Sequence, residues 1–337
     1  MRKSKRLSGM TKLEKREALT ALAFVSPWIV GLFGLLLYPI AASFYYSLCE
    51  YSVLEPAQYV GLLNYIDLFT DEVFWKALWN TFYYAALSLP LGLVLAIAVA
   101  LLLNTGVKGM AVYRTIFFLP SLMPTVALAI LWLWIFNGDY GVLNYAVSST
   151  SGWLAAQVAD AGRFLSQHGA EGLGNAVLSA APHLKVEGPP WLTHPSWSKP
   201  AFVLLGLWGV GNAVVVYLAG LQDVPAQLYE AAELDGATWL QKVRHVTLPM
   251  ISPVIQFNLI LGIIGSFQFF AAPYVMAPNG QPARSAYFYA MMLYDNDCPY
   301  LRMGYACAVA WVLFVVILVC TLVALRISSK HVHYEGV

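Results

Sequence analysis

Six long stretches of the chain carry no Asp, Glu, Lys or Arg: residues 18–49, 77–107, 115–138, 200–222, 246–283 and 303–325. Each exceeds the roughly 20 residues that a helix needs to cross a hydrocarbon core about 30 Å thick. Buried helices of water-soluble proteins seldom recur at this length six times. The pattern therefore predicts an all-α integral membrane protein with six transmembrane helices, placed at 18–48, 77–103, 111–136, 200–222, 250–272 and 303–326. Prolines fall inside or beside these spans, at Pro27, Pro39, Pro90, Pro120, Pro124, Pro253 and Pro273. In a membrane, neighbouring helices and polar side chains re-satisfy the backbone groups that a proline frees, so kinked rather than broken helices are expected.

Composition agrees with lipid as the solvent. Of 337 residues, 59% are hydrophobic and 11% charged, against about 25% charged in soluble domains. The net charge of +1 gives no pull towards nucleic acid. How the charge is distributed says more than its sum. With the N-terminus inside, 13 of the 19 Lys and Arg lie in inner segments, among them Arg2, Lys12, Lys108, Arg114, Lys242 and Arg326. The other six, Lys76, Arg163, Lys185, Lys199, Arg284 and Arg302, fall in outer segments, and the first outer loop is acidic. The positive-inside rule then makes both termini cytoplasmic. Residues 1–17 form a basic inner N-terminus, 49–76, 139–199 and 273–302 are outer loops, 223–249 is an inner loop and 327–337 an inner tail. The first apolar run is too long for the apolar region of a cleavable signal peptide, and an uncleaved first helix is expected.

The loops carry the remaining candidate chemistry. The 139–199 segment has no window apolar enough to cross and is expected to form short amphipathic helices, with Trp191 and Trp197 at the membrane interface. The 223–249 loop reads as two short helices around a turn. Pro225 suits a first helical position, Gly236 can supply a positive φ, and Trp239, Val243 and Val246 make an apolar stripe. From composition this loop suits either docking to a soluble partner or lying on lipid. The four cysteines, Cys49, Cys298, Cys307 and Cys320, lack metal-ligand spacing and read as apolar fillers, with a Cys49–Cys298 disulfide as the alternative. No histidine lies in a span, His331 and His333 sit on the tail, and Asp295-Asn296-Asp297 reads as an outer turn without the rest of a calcium loop. No catalytic residue, metal site or cofactor is assigned. An intramembrane enzyme would need a nucleophile and base, or a metal set, inside the spans; a channel is the other alternative. There is no Gly-x-x-x-x-Gly-Lys-Ser/Thr loop, so any ATP would be bound elsewhere.

Within the inner loop, Glu230-Ala231-Ala232, Asp235-Gly236-Ala237 and Leu248-Pro249 resemble the signature loop of permease subunits of ATP-binding-cassette importers. The chain looks most like the carbohydrate-uptake branch, similar to permeases for maltose, lactose and glycerol phosphate. Other blocks follow in the family's order. They include Gly61-Leu62-Leu63-Asn64-Tyr65, Asn80-Thr81, Tyr113-Arg114-Thr115, Tyr140-Gly141-Val142-Leu143-Asn144 and Arg302-Met303-Gly304-Tyr305-Ala306. Two departures stand in the fifth span. Ala271 occupies the place of an aspartate after Ser266-Phe267-Gln268, and Asn279-Gly280-Gln281-Pro282 replaces a Gly-Gly-Pro loop.

The resemblance implies a type I importer permease in a bacterial or archaeal inner membrane. It makes 223–249 a coupling loop inserted into an ATPase subunit, with Glu230 and Gly236 its most sensitive positions. It also implies an ATP-binding-cassette ATPase dimer, a second and different permease subunit, and an extracytoplasmic solute-binding protein. For the substrate pathway, the polar residues Asn212 and Asn258 and the pair Phe267 and Gln268 are the candidates. Such groups suit a neutral, hydroxyl-rich solute, with a sugar, a polyol and glycerol phosphate all open.

Overall fold

The structure is a computed structural model, and it describes residues 11–105, 107–168, 170–184 and 186–329. The expectations for the first ten residues, Lys185, Lys330, His331 and His333 fall outside those residues. In chain order the helices begin with α1 (Lys12–Gly31) and α2 (Tyr38–Ser47), then a hairpin of β1 (Cys49–Ser52) and β2 (Glu55–Tyr59), and α3 (Leu63–Thr70). Next come α4 (Glu72–Leu103), α5 (Met110–Phe118), α6 (Thr125–Ile135), α7 (Val142–Gln167) and α8 (Glu171–Ala180). They are followed by α9 (Pro195–Trp208), α10 (Gly211–Gln222), α11 (Ala226–Leu234), α12 (Trp239–Lys242) and a single turn, α13 (Leu248–Met250). The chain closes with α14 (Ser252–Phe267), α15 (Ala271–Met276), α16 (Tyr289–Asp297) and α17 (Met303–Ser328).

Four stretches are long and apolar enough to cross a membrane as they stand: Lys15–Ser47, Glu72–Leu103, Ser252–Met276 and Met303–Ser328. Two more pairs qualify only as bent spans: α5 with the turn that follows it against α6, at 98°, and α9 against α10, at 45°. The stretches expected as the third and fourth spans are thus each a bent pair of helices. The causes are local. Pro120 and Pro124 interrupt hydrogen bonding between α5 and α6. In the first span a π-helical stretch, Leu32–Leu37, widens the helix just before Pro39.

The chain divides into two compact units, Met1–Thr70 with Tyr294–Val312, and Asp71–Leu293 with Leu313–Val337. In the first, Asn64 Nδ2 donates to the carbonyls of Ser47 and Cys49, each at 2.9 Å, fixing the end of α2 to the hairpin. Phe44 meets Trp311 edge-on at 5.0 Å. The Asp295-Asn296-Asp297 run ends α16 rather than forming a turn. All four cysteines are free thiols, so the Cys49–Cys298 alternative is set aside.

In the second unit, Ala96, Ala100 and Leu103 of α4 pack on Val214, Tyr217, Leu218 and Leu221 of α10. Lipid tails are as apolar as these side chains, so close packing rather than water exclusion holds the pair, and small residues permit it. The 139–199 segment departs from expectation. In place of short helices it holds α7, 26 residues long, folded against α8. Gly162 and Gly174 meet where the two helices touch: a Cβ on Gly174 would lie 2.7 Å from the Gly162 carbonyl oxygen. Trp191 is held in a ring chain, 5.4 Å from Phe136 and 5.5 Å from Trp197, and its Nε1 donates to Asn144 Oδ1 at 2.8 Å.

At one end of this unit, Asn80 is 1% exposed on α4 and its Nδ2 donates to the carbonyls of Arg284 and Tyr287, both at 2.9 Å. Its neighbour Thr81 accepts the Tyr289 amide at 2.9 Å. Replacing Asn80 with Ala removes both of its hydrogen bonds to the loop backbone, one of them buried, at a cost of about 1–3 kcal/mol. A lowered unfolding midpoint in detergent is expected; an unchanged midpoint would show that the loop does not depend on Asn80.

Candidate functional site

The 223–249 loop forms the two helices expected of it. Ala226 follows Pro225, which takes the N-cap with φ −58° and ψ 129°, one place earlier than expected. The end of α11 is a Schellman turn. The Ala237 amide bonds the Ala232 carbonyl at 2.9 Å, the Gly236 amide bonds Glu233 at 3.0 Å, and Gly236 takes φ 75°. After it, the Thr238 amide donates to Gln241 Oε1 at 2.7 Å and opens α12.

Two bonds mount α11 on the following segment. Lys242 Nζ meets Glu233 Oε1 at 2.7 Å, and Tyr229 and Thr247 share a hydroxyl hydrogen bond of 3.0 Å. None of the α11 residues is buried. Glu230, Ala231 and Asp235 are exposed, Ala232 and Ala237 half-buried, and Leu234, at 90% exposure, stands in the open. Leu248 and Pro249 form the single turn that precedes α14.

Further along the same unit, α4, α9, α10 and α14 enclose a cleft of about 580 Å³. Asn212 and Asn258 line it, as do Tyr84, Ser88, Tyr217 and Ser266. Asn258 Nδ2 is bound to the Val254 carbonyl at 3.0 Å, which leaves its Oδ1 to accept. The Tyr217 hydroxyl is buried without a hydrogen-bond partner. A lone buried hydroxyl costs stability unless a ligand or water completes it.

Phe267 and Gln268 do not join the lining. Phe267 is buried edge-on to Phe82, 5.0 Å between ring centres, and Gln268 caps the end of α14. Tyr84 and Tyr217 were missed because an aromatic residue in an apolar span carries no mark of its own; only the missing hydroxyl partner sets Tyr217 apart. Above the cleft, Tyr84 stacks on Phe269 at 4.3 Å, and both meet Phe202 or Phe288 edge-on, which closes that end with rings. Gly206 is needed beside this layer, since a Cβ there would lie 2.8 Å from the Tyr84 hydroxyl. Among the described residues no group of His, Cys, Asp or Glu could hold a metal ion.

Residues 88–333, a range that takes in the loop and all of the cleft lining but Tyr84, match the family described as binding-protein-dependent transport system inner membrane component. The chain belongs to that family. The permease is 33% identical to the probable ABC transporter permease protein YesP of Bacillus subtilis over 96% of this chain and 94% of that one. It is 31% identical to the arabinooligosaccharides transport system permease protein AraP of Bacillus subtilis, covering 91% and 88%. Its fold matches a chain of a bacterial alginate ABC transporter, crystallised with an alginate pentasaccharide-bound periplasmic protein. The TM-score is 0.72 at 25% identity, covering 94% of this chain and 96% of the other. The permease is thus an inner-membrane transport component rather than an enzyme, and ATP hydrolysis belongs to a separate subunit.

Tyr217→Phe separates the roles of this cleft. The hydroxyl has no bond to lose, so the unfolding midpoint of the permease should hold or rise. Uptake by the assembled transporter should show a raised KM for its solute. A lowered midpoint with an unchanged KM would make Tyr217 a structural residue only.

Proposed function

We propose that this permease forms half of the pathway of an ATP-driven importer for a sugar or related polar solute. A second, different permease completes the pore. The observation that carries the reading is α11: nine residues, none buried against their own chain, held at two points and presenting Glu230 beside exposed Leu234. A helix that buries nothing at home is suited to a groove on another protein.

In this reading the 223–249 loop and both termini face the cytoplasm, in keeping with the distribution of Lys and Arg. The α11 helix seats on an ATP-binding-cassette ATPase dimer, and a solute-binding protein delivers cargo at the opposite face. Closure of the ATPases on ATP moves α11, and the segment 239–251 passes that movement to α14, which carries Asn258 and Ser266 into the cleft. The helices then switch between two packings, one open to each side. The arabinooligosaccharide and alginate systems of its relatives support a glycan as cargo, as do the amide and hydroxyl groups of the cleft.

The combined variant Glu230→Arg, Gly236→Pro puts a cation on the docking face and removes the left-handed turn. ATP-dependent uptake should fall at least tenfold, and the ATPase should no longer co-purify from mild detergent, while the permease still inserts. Uptake and co-purification at wild-type levels would remove the coupling role from α11.

A further inference from the structure

The cleft has a charged approach that neither the loop nor the cleft itself explains. Lys199 of α9 reaches across to α4, where its Nζ donates to Asn80 Oδ1 at 3.2 Å and lies 5.0 Å from the centre of the Tyr83 ring. Lys76, one turn before Asn80 on α4, places a second positive charge close enough to repel it. The ion pairs seen among the described residues are Arg163–Asp160 and Lys242–Glu233, and neither takes in Lys76 or Lys199. Glu72 sits one turn from Lys76 yet makes no ion pair with it. A half-buried ammonium with an amide and a ring for company keeps donor capacity to spare, and its desolvation goes unrepaid until an anion arrives.

Position ties these cations to the cleft. Asn80, Tyr84 and Ser88 form an i, i+4 ridge of α4, with Lys76 one step further out. Gly206 lies seven residues, two turns, beyond Lys199 on α9. The two helices touch at Lys199–Asn80 and again where the Tyr84 hydroxyl packs over Gly206. One seam therefore runs from the cations, past the ring layer, to the cleft. Lys76 and Lys199 lie along this seam beyond the ring layer, at the end of α4 away from its packing with Leu221.

We infer that the cargo is an acidic oligosaccharide, and that Lys199, backed by Lys76, receives its carboxylate at the entrance of the α4–α9 seam. The inference rests on the importer reading. The Asn80 amide orients the Lys199 ammonium, and the Tyr83 face shields it on one side, so the free donor is aimed rather than mobile. A neutral glycan would leave the cations unpaired along its route. This refines the neutral solute that the polar residues of the spans suggested.

The test uses the full transporter, assembled with its ATPase, second permease and binding protein, in phosphatidylcholine vesicles. The probes are a galacturonate trisaccharide and its methyl ester. The wild type should concentrate the acid in preference to the ester. Lys199→Met should raise the KM for the acid at least tenfold, the loss that one charge-assisted hydrogen bond of about 1.4 kcal/mol produces, and leave the ester unaffected. Lys199→Arg should retain acid uptake. Lys76→Met, on an exposed position that the fold does not need, should shift the acid KM in the same direction by a smaller factor.

Preference for the ester, or an equal loss of both probes in Lys199→Met, would overturn the acidic cargo and leave the importer standing. An effect of Lys199→Met that appears only after phosphatidylglycerol is added would assign the cation to a lipid headgroup and overturn the cargo role. No ATP-driven uptake of either glycan by the assembled complex would overturn the importer reading and this inference together.

Discussion

Backbone hydrogen bonding in an apolar solvent is the constraint on which the second unit depends. Lipid offers no partners to an N–H or C=O that leaves a helix, so each break in a span must be repaired from within the protein. The chain breaks often, between α5 and α6, between α9 and α10, and after α14. At the first break Ser121 Oγ donates to the Phe118 carbonyl at 2.7 Å, and polar side chains do the same at other segment ends. Asn80 and Thr81 serve the 284–289 stretch, Asn144 serves Gly138, and Arg114 donates to the Leu103 carbonyl at 3.1 Å, where α4 ends. Each is a polar residue inside an otherwise apolar neighbourhood, retained for what it bonds.

Bent spans follow from that repair. A straight helix would line a pathway with its side chains alone, whereas a span that bends at Gly209 and Val210 brings backbone and small residues to the wall. The cleft accordingly mixes glycines with Tyr84, Tyr217, Asn212 and Asn258. The aromatic layer at one end and the Ala96–Leu221 packing towards the other leave the polar groups between two apolar plugs. A space so bounded can change which side it opens to by moving rings and helices, with its hydrogen-bonding groups kept in place.

Much of this was legible in the residues, and what was not has a physical reason. The α11 turn was readable because its chemistry is local: a Schellman motif needs only a glycine at one position and amides two residues around it. Asn212 and Asn258 stood out as amides in apolar runs. Phe267 and Gln268 looked equivalent to them in sequence, yet α14 ends between them and turns the phenylalanine towards Phe82, a fact set by tertiary packing. Pro120 and Pro124 announced the kink between α5 and α6 but not its 98° angle, and the 45° bend between α9 and α10 falls at Gly209 and Val210, where no proline stands. The pairing of α7 with α8 escaped notice because it rests on Gly162 and Gly174, and a glycine carries no mark in sequence of the close backbone approach it permits.

The mounting of α11 has a mechanical consequence. A peg attached to its base at one point can swivel, and a push on its tip is spent in rotation. Here Tyr229 near the start and Glu233 near the end are anchored separately, to Thr247 and Lys242, five residues apart. Two anchors remove the swivel, so a displacement of the helix arrives at residues 242–247 as a translation and a torque together. The short π-helical turn at Val243–Thr247 lies directly in that line of force and ahead of α14. It is a joint already wound more loosely than its neighbours, and any push delivered to α11 would reach α14 through it.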